Sequence, residues 1–288
     1  MNAINVKDAL TEATLRLSKA GCDTPSLDAE VLLAHSLTKD RTWLYAYPQK
    51  SVDPDQLRTF FDLIRRREQR EPVAYLIGHK EFFGLQFQVN QHVLIPRPET
   101  ELSVETALQI FDSNSKIDIV DVGTGSGCIV IALARHLSRA RLLAIDVSNQ
   151  ALYLAQQNAR RHYLADRITF LSGAVLEPLA GSVDLIVSNP PYVSQLELAA
   201  GSTSPEVSRY EPRLALDGGD DGLDTIRQLL PQAKEKLNAG GVLLIEIGST
   251  QGQAVRQLAK DYFPQAGIET KKDLAGLDRL LVLEQTNV

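Results

Sequence analysis

This chain lacks the residue patterns that hold metals. Its two cysteines, Cys22 and Cys128, are far apart and have no ligand spacing. Its five histidines, His35, His79, His92, His136 and His162, form no cluster along the sequence, so a zinc or iron site is not expected. The cysteines are read as reduced thiols, buried or half-buried in a cytosolic protein. No apolar run approaches the ~20 residues that a spanning helix needs. Residues 1–5 lack the basic and apolar regions of a signal peptide. Cytoplasm is therefore the expected compartment, with no membrane partner. Positive charge is not in excess either. The 30 Lys and Arg against 36 Asp and Glu leave a net charge of −6. That argues against broad, non-specific nucleic-acid binding, although a local basic face would still be compatible with it. Internal repeats and low-complexity stretches are also missing.

What is present divides into parts. Residues 1–75 read as all-helical. Asn5 can cap a first helix whose apolar residues Val6, Ala9, Leu10, Ala13 and Leu17 recur at helical spacing up to Gly21. Thr24-Pro25 opens a second helix, with proline at the tolerated first position. A short aromatic segment follows at 43–47. Asp53-Pro54 then starts a helix through Leu57, Phe60, Phe61 and Ile64. Its closing Arg65-Arg66-Arg67 is read as solvated cations favouring the helix dipole, or as a contact for an acidic or RNA-bearing partner.

From residue 76 to 97 the period changes. Phe83, Leu85, Phe87 and Val89 alternate with polar neighbours, and Val93-Leu94-Ile95-Pro96 follows, which reads as a β-hairpin linker. From residue 98 to 288 strands and helices alternate, the signature of a doubly wound α/β sheet. Strands are expected at 117–122, 142–145, 168–171, 183–188, 242–247 and 280–283.

Three features fall at carboxyl ends of those strands, where such sheets bind ligands. The first is the loop Gly123-Thr124-Gly125-Ser126-Gly127, leading into a helix that starts at Cys128. Its glycines allow tight turning and close ligand approach. The spacing is neither a dinucleotide fingerprint nor a phosphate-cradling loop with its lysine. The second is Asp146, placed to accept hydrogen bonds from both hydroxyls of a ribose, or alternatively to cap the helix beginning near Ser148. The third is Asn189-Pro190-Pro191-Tyr192, where two prolines end a strand and set an amide before an aromatic ring. Such a corner can grip a planar nitrogen-bearing group by its edge and its face. Together the three favour an S-adenosylmethionine methyltransferase. After the next strand Ser172-Gly173-Ala174-Val175 offers no acid for the adenine amine, so backbone groups and apolar contact with Val175 are expected to hold it.

Over nearly its whole length the chain resembles the protein-(glutamine-N5) methyltransferases of the PrmC/HemK family, which modify peptide chain release factors. The resemblance is carried by Gly78-His79-Lys80-Glu81-Phe82-Phe83-Gly84, by Ile95-Pro96-Arg97-Pro98-Glu99-Thr100-Glu101, by loop 121–127 and by the corner 189–192. It continues through Tyr210-Glu211-Pro212, Asp217-Gly218-Gly219-Asp220-Asp221-Gly222-Leu223 and Leu244-Ile245-Glu246-Ile247-Gly248. It implies a Rossmann-like class I methyltransferase sheet preceded by a small helical domain that helps hold the release factor. It also implies a substrate glutamine in a Gly-Gly-Gln loop. Asn189 and the Pro190 carbonyl would accept its two amide N–H groups, and Tyr192 would pack on the amide plane. Gly123–Gly127, Asp146, Ala174, Val175 and Asn189 would contact the cofactor, and Pro191, Arg97 and Glu99 the substrate. Glu99 and Glu101 read equally well as an acidic first helical turn, and Glu246 reads as structural. Two departures stand out: Ala174 replaces the usual acid, and Ser103 the usual apolar residue. Rival readings are a ribosomal-protein glutamine methyltransferase and a nucleic-acid methyltransferase acting on an exocyclic amine. The acidic balance goes against the latter, so no direct nucleic-acid substrate is expected.

Overall fold

The structure, a computed structural model, describes residues 4–286. The opening residues 1–3, read above for a signal segment, lie outside the described residues. The chain divides into two compact units.

The first unit holds the residues up to His79 together with Ser204–Tyr210. It is helical, with α1 (Val6–Lys19), α2 (Pro25–Leu37), α3 (Arg41–Ala46), α4 (Pro54–Glu68) and α5 (Val73–Ile77). The Asn5 side chain accepts from Asp8 N–H and Asp53 caps α4 in the same way, so polar caps mark both starts. The aromatic segment at 43–47 belongs to a short helix that Asp40 caps through Trp43 N–H. Val6, Ala9, Ala13 and Leu17 form one buried stripe, packed with Leu32, Leu33, Phe60 and Ile64 into a single core. Arg65 and Arg66 stay exposed in the last turn of α4, as the first reading of the arginine run has it, but Arg67 does not. Arg67 is buried and pairs with Asp28 at 2.7 Å and Glu206 at 2.8 Å. Arg65 and Arg66 pair with Asp62 and Glu71. Glu206 lies on α10 (Pro205–Tyr210), which joins this unit far along the sequence.

The second unit holds Lys80–Thr203 and the residues from Glu211 onward. The pair β1 (His79–Phe82) and β2 (Leu85–Gln88) forms a two-stranded sheet. Pairing ends there, and residues 93–96 are not a strand. They instead bury Val93, Ile95 and Pro96, with Ile95 N–H donating to Glu211 Oε2 at 3.2 Å. The main sheet has seven strands: β3 (Asp118–Val122), β4 (Arg141–Asp146), β5 (Ile168–Ser172), β6 (Val183–Ser188), β7 (Leu237–Glu246), β8 (Gly267–Lys272) and β9 (Asp278–Glu284). Their order is β5-β4-β3-β6-β7-β9-β8, parallel up to β7 and antiparallel at β9 and β8. Strand β8 was not foreseen, because Gly-Ile-Glu-Thr-Lys-Lys is polar, as suits an exposed edge.

Helices α6 (Glu101–Ile110), α7 (Cys128–His136), α8 (Asn149–Arg161), α11 (Asp224–Lys236) and α12 (Gly252–Tyr262) accompany the sheet, and a short α9 (Gln195–Ala199) follows β6. One core cluster contains Val104, Ile131, Leu133 and Leu185, and a second contains Val120, Ile186, Leu229 and Val255. Alternate residues of β3 and β6 thus enter different clusters, as expected for strands buried on both faces. The strand order reverses beside β3, which opens a crevice over the carboxyl ends of β3, β4 and β6.

Candidate active site

The crevice contains a cavity of about 520 Å³. Its walls include Gly123, Thr124, Gly125, Ser126, Asp146, Ala174, Val175, Asn189, Pro190, Pro191 and Arg97. Residues from five separate sequence segments are therefore brought together, four of them at the strand ends that imply it and Arg97 from the segment before α6.

The glycine loop is fastened from several sides. Gly123 and Thr124 N–H groups both donate to Ile145 O, at 2.8 and 3.0 Å. Gly125 N–H donates to Asp146 Oδ2 at 2.9 Å, and Ser148 N–H donates to Asp146 Oδ1 at 2.9 Å. Gly123 and Gly125 take positive φ of 72° and 56°, a region that costs other residues. A Cβ on either would meet no heavy atom closer than 3.9 Å. These positions therefore form an open cradle that leaves space for a ligand. Gly127 works differently. It stands behind the wall with φ of 80°, and a Cβ there would come within 3.0 Å of Ile131 and 3.1 Å of Ala155. Its role in the structure is to let α7 and α8 pack.

Asp146 is not the cap of α8. Ser148 is, accepting from Ala151 N–H at 3.2 Å. Asp146 is buried, and burial raises its carboxyl pKa against the opposing backbone donors. Each of its oxygens takes one backbone N–H and keeps lone-pair capacity for a ligand hydroxyl. Beneath it lies Asp121, fully buried, whose Oδ2 accepts from Thr124 Oγ1 at 2.7 Å. Burial pushes the Asp121 carboxyl up to about 7.

The corner at 189–192 is buttressed from behind. Ser188 Oγ donates to Val122 O at 2.8 Å, joining the ends of β6 and β3. Val193 N–H donates to Leu216 O, and Gly218 N–H to Val193 O, both at 2.9 Å. Gln251 Nε2 donates to Tyr192 O at 3.0 Å and to Gly222 O at 3.2 Å. Asn189 Nδ2 donates to Thr100 Oγ1 at 3.1 Å. Tyr192 is not on the cavity wall. Its hydroxyl lies 3.4 Å from Glu246 Oε1, and burial raises its pKa. Glu99 is exposed and also off the wall, while Glu101 accepts from Phe83 N–H at 2.8 Å. Arg97 lines the wall and pairs with buried Glu211.

Sequence reasoning missed Thr100, Gln251 and Asn158. Asn158 is fully buried and ties Ser126 O at 2.8 Å to Gln88 O at 3.0 Å. A buried amide on an otherwise apolar helix face was the available signal. No such signal marks Gln251.

The cradle, the carboxylate at its rim and the apolar wall of Ile129 and Val175 fit a nucleoside bearing a free ribose. Residues 8–78 match the PrmC N-terminal domain family, and residues 100–205 match the methyltransferase small domain family. A methyltransferase from Pyrococcus furiosus has a similar fold, at 17% identity and TM-score 0.53, covering 77% of this chain and 98% of that one. Fold and site together define an S-adenosylmethionine-dependent methyltransferase. A release factor glutamine methyltransferase of Moorella thermoacetica is 45% identical over 277 residues, 96% of this chain and 97% of that protein. One from Geobacter sulfurreducens is 42% identical, covering 92% and 91%. The chain belongs to the release factor glutamine methyltransferase family.

Proposed function

We propose that the protein methylates the side-chain nitrogen of the glutamine in the Gly-Gly-Gln loop of a peptide chain release factor. The observation that carries this is the placement of Asn189 and Pro190 on the wall of the cavity that also holds Asp146 and the glycine cradle. When bound, S-adenosylmethionine supplies an electrophilic methyl group on a sulfonium sulfur.

The chain's own residues must overcome the weak nucleophilicity of a carboxamide, whose nitrogen lone pair is delocalised into the carbonyl. Asn189 Oδ1 and the Pro190 carbonyl accept the two N–H groups and fix the direction of the lone pair. They also offset positive charge developing on nitrogen, an effect worth about 3–4 kcal/mol per well-placed group by analogy with oxyanion holes. Positioning contributes further, up to about 7–11 kcal/mol for fully oriented partners. Tyr192, off the cavity wall with its hydroxyl 3.4 Å from Glu246 Oε1, supports the corner from behind rather than packing on the amide plane. Arg97, held by Glu211, contacts the incoming loop, with Glu99 beside it on the exposed side. Asp146 would hold the ribose hydroxyls, residues 123–126 would line the remainder of the cofactor, and Val175 with Ala174 would take the adenine face. The described residues contain no helix long and apolar enough to cross a membrane. The proposed partner is the release factor, met in the cytoplasm.

The reading is tested by offering methyl-labelled cofactor with release factor, ribosomal protein, DNA and RNA side by side. Label on the release factor alone is expected. Label on nucleic acid and none on protein would sink the proposal.

A further inference from the structure

The hairpin of β1 and β2 is fixed at two points, and each leads to a different half of the cavity. On β2, Gln88 is met by the side chain of Asn158 on α8. Asn158 Oδ1 accepts from Gln88 N–H at 2.7 Å, and Nδ2 donates back to Gln88 O at 3.0 Å. The amide thus pairs with both backbone groups of one residue, as a neighbouring strand would. Nδ2 also donates to Ser126 O at 2.8 Å, and Ser126 stands on the cavity wall within the glycine loop. Asn158 is fully buried, so solvent does not replace a bond that is lost. At the turn, Phe83 and Gly84 take positive φ of 51° and 71°, as a two-residue hairpin turn requires. That conformation is unfavourable for a bulky residue. The Phe83 N–H is pinned there by Glu101 Oε1, which accepts it at 2.8 Å. Glu101 opens α6 directly after Thr100, whose Oγ1 accepts from Asn189 Nδ2 at 3.1 Å.

We propose that Asn158 and Glu101 are positioning residues that make the hairpin a brace between the cofactor loop and the corner at Asn189. Neither lines the cavity itself. Methyl transfer needs the donor and the accepting nitrogen in line, and small misplacements are costly. The sheet registers β3 on β6 only as far as Val122 and Ser188, and the loop and the corner both lie beyond that point. The hairpin supplies the missing tie. Gln88 reaches Ser126 through Asn158, and Phe83 reaches Asn189 through Glu101 and Thr100. The effect on the corner rests on the reading of Asn189 as the acceptor for the substrate amide, whereas the effect on the cofactor loop does not.

The test measures S-adenosylhomocysteine affinity by titration calorimetry, with each variant held well below its melting temperature, and kcat beside it. Asn158→Ser is too short to join Gln88 to Ser126 and should weaken binding about tenfold, the scale of a lost buried hydrogen bond. Glu101→Ala touches neither the cavity nor α8, yet it should weaken binding about threefold through the loosened hairpin. It should also lower kcat about tenfold by releasing the corner. Glu101→Gln keeps Oε1 as an acceptor and should stay within about twofold of wild type in both. In an Asn158→Ser background, Glu101→Ala should weaken binding no further, because the link it acts through is already cut; independent sites would add their losses. Wild-type affinity in folded Asn158→Ser or in Glu101→Ala overturns the inference, and so does a full extra loss in the double variant. Where Asn158→Ser does not fold, the affinities of Glu101→Ala and Glu101→Gln decide it. Full turnover by Asn189→Ala removes the role of the corner, and the brace on the cofactor loop is then judged by affinity alone.

Discussion

Asp146 holds Gly125, with the carboxylate Oδ2 accepting that backbone N–H at 2.9 Å. The acid at the end of one strand therefore fixes the loop at the end of its neighbour, as well as facing the cavity. Asp146→Ala should lower cofactor affinity by about a hundredfold, through both the ribose contact and the loosened loop. Asp146→Asn should do little better, since its NH2 would face either Gly125 N–H or Ser148 N–H. Titration calorimetry checks this, and near wild-type affinity of the asparagine variant would count against the shared role.

Gln251 supports the corner from behind through Tyr192 O and Gly222 O. Gln251→Ala should reduce kcat about tenfold and leave cofactor affinity nearly unchanged, because small displacements of a positioned acceptor are costly. Gly222→Ala should be more severe. Its Cβ would fall 2.3 Å from Tyr192 O at a φ of 78°. Steady-state kinetics with separately measured cofactor binding distinguishes a displaced corner from a damaged cofactor site.

Asp121 links stability to pH. Burial raises its folded carboxyl from an ordinary 3.8 to about 7. The folded chain then holds a proton that the unfolded chain releases, so this group favours folding below about pH 4. That support is lost progressively as pH rises towards 7. Asp121→Asn does not titrate. Its melting temperature relative to wild type should therefore rise between pH 5 and pH 8, and scanning calorimetry at both values reads the difference. An unchanged gap would show that the carboxyl is ionised throughout.

The buried cluster of the helical unit should be costly to break. Burial opposes ionisation of Glu206, but Arg70 and Arg67 outweigh it and bring the carboxyl down to about 2. Arg67→Met would leave Asp28 buried without its cation and Glu206 with Arg70 alone. Loss of one partner from such a pair costs about 3–5 kcal/mol. Urea denaturation should show that loss, and a variant as stable as wild type would mean that the cluster relaxes into solvent.

Much of the doubly wound sheet was legible, because its central strands are buried on both faces and appear as short β-branched runs. Val183–Ser188 occupies the range that its apolar pattern predicts. The polar edge strand Gly267–Lys272 was not legible, since exposure removes the pattern. The arginine run shows the opposite limit. Charge suggested solvent, but Arg67 is buried because its partner Glu206 lies 139 residues away in sequence. At the site, residues at strand ends were readable from their position in the alternation. Thr100 and Gln251 were not, because their importance comes from which backbone or side-chain atom they happen to reach.

The central claim is that Asn189 accepts a glutamine amide for methyl transfer. The most direct measurement is peptide mass spectrometry of release factor after single-turnover reaction with wild type and Asn189→Ala at saturating cofactor. The account predicts one methyl group on the glutamine side-chain nitrogen with wild type. With the variant it predicts a rate lower by about 10²–10³ and cofactor affinity within a few-fold. A methyl group on another residue, or an undiminished rate in the variant, would contradict it.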